Sequence, residues 1–164
     1  MSVDLYEGDT LLLRRVFGEF PTGVAALAAH LDDGPVVLIA SSFQVGISLE
    51  PPLVLVSVQR TSTTWPQLQH AARIGVSILG NANAGAAKQL ASKERALRFD
   101  GVATTSDDGG AVYIDDSAAW LECVIEQEYP AGDHDVVLLR VLGLRVHDDH
   151  EPLVFHRSAF RSLH

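Results

Sequence analysis

The sequence predicts a mainly β fold: a barrel or sandwich of short strands with a few helices laid against it. Three observations carry that expectation. About seven short runs alternate apolar and polar residues between turn signals, whereas only three stretches carry a helical pattern. Strand and helix patterns do not follow one another in the order of a doubly wound sheet. Neither G-x-G-x-x-G nor G-x-x-x-x-G-K-[ST] occurs, and the glycines of GNANAGAAK at 80–88 have the wrong spacing for either.

In chain order, Asp9 or Thr10 can cap a first helix, in which Leu12, Leu13, Val16, Phe17 and Phe20 recur at roughly helical spacing until Pro21 ends it. VAALAAHL at 24–31, an Asp-Asp-Gly-Pro turn at 32–35 and VVLIASSF at 36–43 read as an antiparallel hairpin. A Pro-Pro break at 51–52 precedes the next strand, 53–58. TSTTWPQLQHAAR at 61–73 reads as a capped helix with Pro66 in its first turn or so. Residues 74–79 return to strand, and NANAGAAKQLASKERA at 81–96 reads as a helix. Beyond it, strands alternate with turns at 107–110, 130–132 and 148–151. No repeat or low-complexity linker divides the chain.

The 164 residues are 47% apolar and 20% charged, the balance of one globular domain over 1–164. No apolar run reaches the roughly 18 residues of a membrane helix. The N-terminus MSVDLYEGDT carries acids where a secretory leader has a basic and then an apolar region, so a soluble, cytoplasmic protein is expected. A formal charge of -9 without a basic stripe argues against nucleic acid and against anionic membranes as partners. The single cysteine, Cys123, allows neither an internal disulfide nor a thiolate zinc site, and it reads as a sheet residue. His147-Asp148-Asp149-His150 resembles a metal cluster in writing, but it falls in a strand-to-loop turn without supporting neighbours; no metal is expected.

Hydroxyls gather at two places. Ser41 and Ser42 end one strand, and Thr61, Ser62, Thr63 and Thr64 open a helix, where free N–H groups favour an anion. Two readings stand at this level: a phosphate cradle, or a capping Ser62 with the other hydroxyls decorating a turn.

Nine fragments then occur in order: F-x-x-F-P-T-G-V-A at 17–25, A-S-S-F at 40–43, S-L-E-P-P-L-V at 48–54, S-T-T-W at 62–65, I-G-V-S-I-L at 74–79, R-F-D-G-V at 98–102, L-E-C at 121–123, G-D-H at 132–134 and P-L-V-F-H at 152–156. Together they resemble flavin reductase-like proteins of the FMN-binding split barrel, the reductase components of two-component flavin-dependent monooxygenases. The resemblance spans about residues 17–163. It implies a six-stranded antiparallel Greek-key split barrel, a homodimer, and a flavin near the subunit interface.

By match, Leu38, Ile39, Ala40, Ser41 and Ser42 form a first flavin-contacting segment, and Val58, Gln59, Arg60, Ser62, Thr63 and Thr64 belong to a second. Lys93 and Arg98 are candidates for the phosphate end, against the alternative of solvated surface. Thr22 and Gly23 of P-T-G-V, His134 of G-D-H, and Phe155 and His156 of the V-F-H ending fall on the nicotinamide side. A loop histidine on its own would read as surface. No catalytic acid or base is assigned, because hydride transfer from NADH or NADPH to FMN, or to FAD, depends on stacking and a preorganised field.

Three departures stand out: Ile39 where relatives have threonine, a 44–47 segment one residue longer, and Ser158 where relatives have glycine. The resemblance implies an NAD(P)H:flavin oxidoreductase supplying reduced flavin to a monooxygenase by diffusion or transient contact. The alternatives are a flavin enzyme with its own organic substrate and a noncatalytic flavin- or haem-binding barrel.

Overall fold

Asp9 starts the first helix because its short carboxylate reaches donors that the first turn leaves unpaired. Its Oδ1 accepts from the N–H groups of Leu11 and Leu12 at 3.1 Å each. In the computed structural model, which describes residues 1–164, this helix, α1, covers Thr10–Gly18 and buries none of its residues. Leu11, Val16, Phe17 and Phe20 all remain more than half exposed. Of the apolar stripe that predicts the helix, only Leu13 is partly covered within its own chain.

The principal sheet holds seven strands: β2 (Ala25–Leu31), β3 (Gly34–Ala40), β4 (Gln44–Leu49), β5 (Pro52–Gln59), β6 (Ile74–Ile78), β9 (Ala119–Ala131) and β10 (His134–Val146). Their order is β3-β2-β6-β9-β10-β5-β4, antiparallel throughout. A three-stranded flap joins β1 (Thr22–Gly23), β11 (Val154–His156) and β12 (Ala159–Arg161), and a ribbon joins β7 (Thr104–Ser106) to β8 (Val112–Ile114). The expected mainly β class holds, with one strand more in the sheet than the six expected. The extra one is β4: Gln44 faces Leu55 but Ser48 faces Leu53, so a bulge takes up the lengthened 44–47 segment. Gly46 lies inside it at φ +76, a conformation that other residues adopt at a cost.

Two expected helices are shorter. Only Trp65–Leu68 forms α2 within 61–73. The 81–96 stretch divides into a 3-10 turn at Asn81–Asn83, α3 at Ala84–Leu90, and a second 3-10 turn at Arg95–Leu97. Ser92 causes the division: its Oγ accepts from the N–H of Glu94 and its carbonyl from Arg98, offering the backbone an alternative to the helical ladder.

The sheet curls around one core and carries a second on its outside. Ala25, Leu27 and Ala29 of β2 point into the first, against Val56, Val76, Cys123 and Val137. Ala26 and Ala28 point into the second, against Leu79, Leu90, Val112 and Leu153. Burial on both faces explains why VAALAAHL is an unbroken apolar run rather than an alternating one. Cys123 is fully buried between Ile74 and Val141, and burial pushes its thiol up to about 12, so it is an inert core residue. No helix is long and apolar enough to cross a membrane.

Candidate functional site

The two flavin-contacting segments implied by the resemblance are tied to one another and to the stretch that carries Arg98. Ser42 Oγ donates to the carbonyl of Ser57 at 2.7 Å, joining the end of β3 to the end of β5. Arg98 supplies the other link: its Nε donates to Ser92 O at 2.7 Å, and its Nη1 to Val37 O and Thr64 Oγ1 at 3.0 Å each. Arg98 is therefore a brace between segments, and Nη2 alone is left to meet a phosphate. Burial is the main cause lowering its pKa from the usual arginine value, while the guanidinium stays charged.

Ser62 is a cap: its Oγ accepts from the N–H groups of Trp65 at 3.1 Å and Thr64 at 3.3 Å. The hydroxyls of Ser62 and Thr64 are thus engaged, but the N–H groups of Thr61 and Thr63, like those of Ser41 and Ser42, donate to nothing in the chain. Arg60 Nε lies 3.3 Å from Asp135 Oδ1, and Lys93 is exposed without a partner. Leu38 and Ile39 are half-buried, whereas Ala40 and Val58 are buried.

The nicotinamide-side candidates separate into two groups. Pairing of β1 with β11 sets Thr22 opposite Phe155 and Gly23 opposite Val154, and His156 faces Ala159 across the next turn. Thr22 Oγ1 is shut off from solvent and has no hydrogen-bond partner. His134 lies elsewhere, at the start of β10, opposite Gln59 of the second flavin segment. No hydrogen bond or strand pairing joins His134 to the flap. Its Nδ1 stands 2.6 Å from Asp133 Oδ1, and that contact holds the Asp133 carboxylate below its ordinary range. A carboxylate only accepts, so Nδ1 is the donor in this contact. Asp133 was legible as the middle letter of G-D-H, yet the sequence reading attached no role to it.

A cavity of about 440 Å³ brings members of the two sets together: Ile39 and Ser41 share it with Phe155, Ser158 and Phe160. The rings of Phe155 and Phe160 are 5.7 Å apart. Phe160 and Lys88, also in its wall, were not picked out in the sequence, where neither belongs to a motif. The mostly apolar wall, with the unpaired N–H of Ser41 at its edge, suits a planar heteroaromatic with polar edges. A larger hollow of about 840 Å³ borders His30, His70, Arg95 and Arg98, but Arg98 is the only flavin or nicotinamide candidate there.

Other features stay apart. Tyr113 stacks on Trp120 at 5.1 Å, and His147 meets the Trp120 ring edge-on while its Nδ1 lies 2.8 Å from Ser117 O. His, Cys, Asp and Glu side chains do not converge in threes anywhere.

A split antiparallel sheet, with hydroxyl-bearing segments meeting beside an apolar cavity, is the split-barrel class of flavoprotein fold. The family model described as flavin reductase like domain matches residues 17–164, and the chain belongs to that family. It is 35% identical to the actinorhodin polyketide dimerase of Streptomyces coelicolor, over 94% of this chain and 87% of that protein. Identity is 30% to the reductase subunit of a flavin-dependent monooxygenase from Rhodococcus jostii, over 94% of this chain and 78% of the relative. Among solved structures, an NADH:FAD oxidoreductase of Streptomyces globisporus in complex with NAD and FAD fragments superposes with TM-score 0.91 at 32% identity, covering 99% of this chain and 98% of the other.

Proposed function

We propose that the protein is an NAD(P)H:flavin oxidoreductase that reduces FMN or FAD and passes reduced flavin to a flavin-dependent monooxygenase, acting as a cytoplasmic homodimer. The shared cavity carries this reading: it joins Ile39 and Ser41 to Phe155 in a chain of this family. Bound flavin supplies the two-electron acceptor for hydride. The unpaired N–H groups of Ser41 and Ser42 are placed to hold its polar edge, and those of Thr61 and Thr63, with Arg98 Nη2, its phosphate. On the nicotinamide side Thr22 pairs opposite Phe155, and the phenyl rings of Phe155 and Phe160 line the cavity and exclude water from the transfer.

The separation of His134 from the flap, the uncovered face of α1, and the exposed Leu144 and Val146 support a dimer in which a second copy completes the site. The polyketide dimerase relative favours a second reading, a flavin enzyme acting on its own organic substrate.

Steady-state oxidation of NADH and NADPH with excess free FMN or FAD separates the two. Sustained turnover with free flavin is expected. Absence of flavin fluorescence quenching at tens of micromolar, roughly -6 to -7 kcal/mol of binding, would overturn the flavin reading altogether.

Residue roles follow by stopped flow. His134→Ala is expected to slow reduction of prebound flavin or raise the NADH requirement, with flavin affinity within a few-fold of the parent. Ser42→Ala is expected to do the reverse, weakening flavin by up to about tenfold through the loss of one hydrogen bond worth roughly 0.5–1.5 kcal/mol. Unchanged reduction in His134→Ala at every NADH and NADPH concentration would remove His134 from the site.

A further inference from the structure

A second cavity adjoins the apolar one and has the opposite chemistry. It encloses about 370 Å³ between the end of α1 and the β11–β12 turn, lined by Arg14, Arg15, Gly18, Glu19, Arg157 and Ser158. Helical spacing puts Arg14 four residues before Gly18 and Arg15 four before Glu19, so both arginines share the face that meets the turn.

That turn is held firmly. Arg157 and Ser158 have φ of +49 and +59, and the N–H of Arg157 donates to Gly18 O at 3.0 Å. The Arg157 guanidinium grips Glu19 with Nη2 at 2.8 Å and Nε at 3.1 and 3.2 Å. One carboxylate thus faces three arginines, with His156 close by, and Glu19 is held below the ordinary carboxylate range mainly by Arg157. The side chains of Arg14 and Arg15 make no hydrogen bond or ion pair. In a chain of formal charge -9, an excess of two positive charges around one hollow is a local reversal of sign.

Ser158 lines both cavities, so they meet at that residue. One is walled by Phe155 and Phe160 and suits a ring; the other is cationic and suits an anion a short distance away. We propose that Arg14, Arg15 and Arg157 bind the phosphate groups of the nicotinamide dinucleotide while its nicotinamide ring enters the cavity of Phe155 and Phe160. This rests on the reductase reading above. The pyrophosphate is common to NADH and NADPH, and the 2′-phosphate belongs to NADPH alone.

The test uses the double variant Arg14→Gln, Arg15→Gln in the full chain. Neither side chain is bonded to the fold, and an unchanged melting temperature establishes that the variant is intact. Compared with the parent are KM and kcat for NADH, for NADPH and for 1-benzyl-1,4-dihydronicotinamide, which carries no phosphate, and the dissociation constants of FMN and FAD.

The proposal expects KM for NADH and NADPH to rise roughly tenfold or more, since charge-assisted contacts are lost, with the benzyl donor unaffected. A rise confined to NADPH assigns the cluster to the 2′-phosphate. Unchanged KM for both dinucleotides overturns the proposal while sustained turnover keeps the reductase reading. An equal loss with the benzyl donor, or weakened flavin binding, overturns it too, because the cluster then serves the fold or the flavin phosphate. A parent that oxidises none of the three donors defeats the reductase reading and this site with it.

Discussion

Replacing Arg98 with methionine is expected to weaken flavin binding by roughly 10- to 100-fold and to lower stability by about 2–4 kcal/mol. The side chain holds three acceptors from three stretches: Ser92 O, Val37 O and Thr64 Oγ1. Thr64 is 4% exposed, so its hydroxyl gains little from water once the guanidinium is gone. Hydrogen bonds to a charged group contribute roughly 1.5–3 kcal/mol each, and partial hydration of a half-buried site reduces the sum. Methionine retains the stem but supplies no donor, so the segment before Ser41 and the segment ending at Thr64 lose their common tie.

Arg98→Lys is expected to recover only part, because an ammonium lacks the planar fork that reaches several acceptors at once. Thermal melting and flavin fluorescence titration check the pair. Parental values for both in Arg98→Met would show that the brace is dispensable.

Gly75→Ala is expected to cost about 3–5 kcal/mol, more than common overpacking, which costs roughly 1–3 kcal/mol. A Cβ at Gly75 would overlap Val112 O and stand 2.8 and 2.9 Å from the Val112 C and N atoms. All three are backbone atoms, so no rotamer change relieves the clash. The ribbon carrying Val112 cannot withdraw freely either: Val112 and Ile114 are 1% exposed in the outer core, and the N–H of Ile114 donates to Ser77 Oγ at 2.9 Å.

Against the roughly 5–15 kcal/mol of an ordinary domain, such a loss removes much of the margin. Urea denaturation reads it as a lower midpoint at constant slope. Gly85→Ala is the control. Gly85 sits inside α3 with open space where its Cβ would go, and alanine there is expected to be neutral or stabilising by about 0.5–1 kcal/mol. Equal losses in the two variants would refute the close-approach argument.

Much of the architecture was legible because its determinants are local. The Asp9 cap requires only donors two and three residues away, and alternation over a few positions identifies β5, β6 and β9. The buried, unreactive state of Cys123 likewise followed from the run around it. The family resemblance put Ile39 and Ser41 on the flavin side and Phe155 on the nicotinamide side, and all three line one cavity of the fold.

Other features depend on closure between distant parts of the chain. β4 escaped notice although Val45, Ile47 and Leu49 keep the period of two, because the strand is almost wholly exposed and only its bulged pairing with β5 holds it in the sheet. Arg98 reads as a phosphate candidate or a solvated cation, and its role as a brace emerges only when β3 and the turn before α2 converge on it. His134 and Thr22 looked like neighbours in function, but β10 and β1 carry them to separate sheets. The cationic hollow unites the two ends of the chain, and the ion pair that closes it, Glu19 with Arg157, joins residues 138 positions apart. The sequence by itself determined which short stretches are strand or helix and which motifs they bear, since those preferences act within a few residues. Only the tertiary structure decided which side chains share a cavity, because that depends on how the sheet curls and where the flap comes to rest.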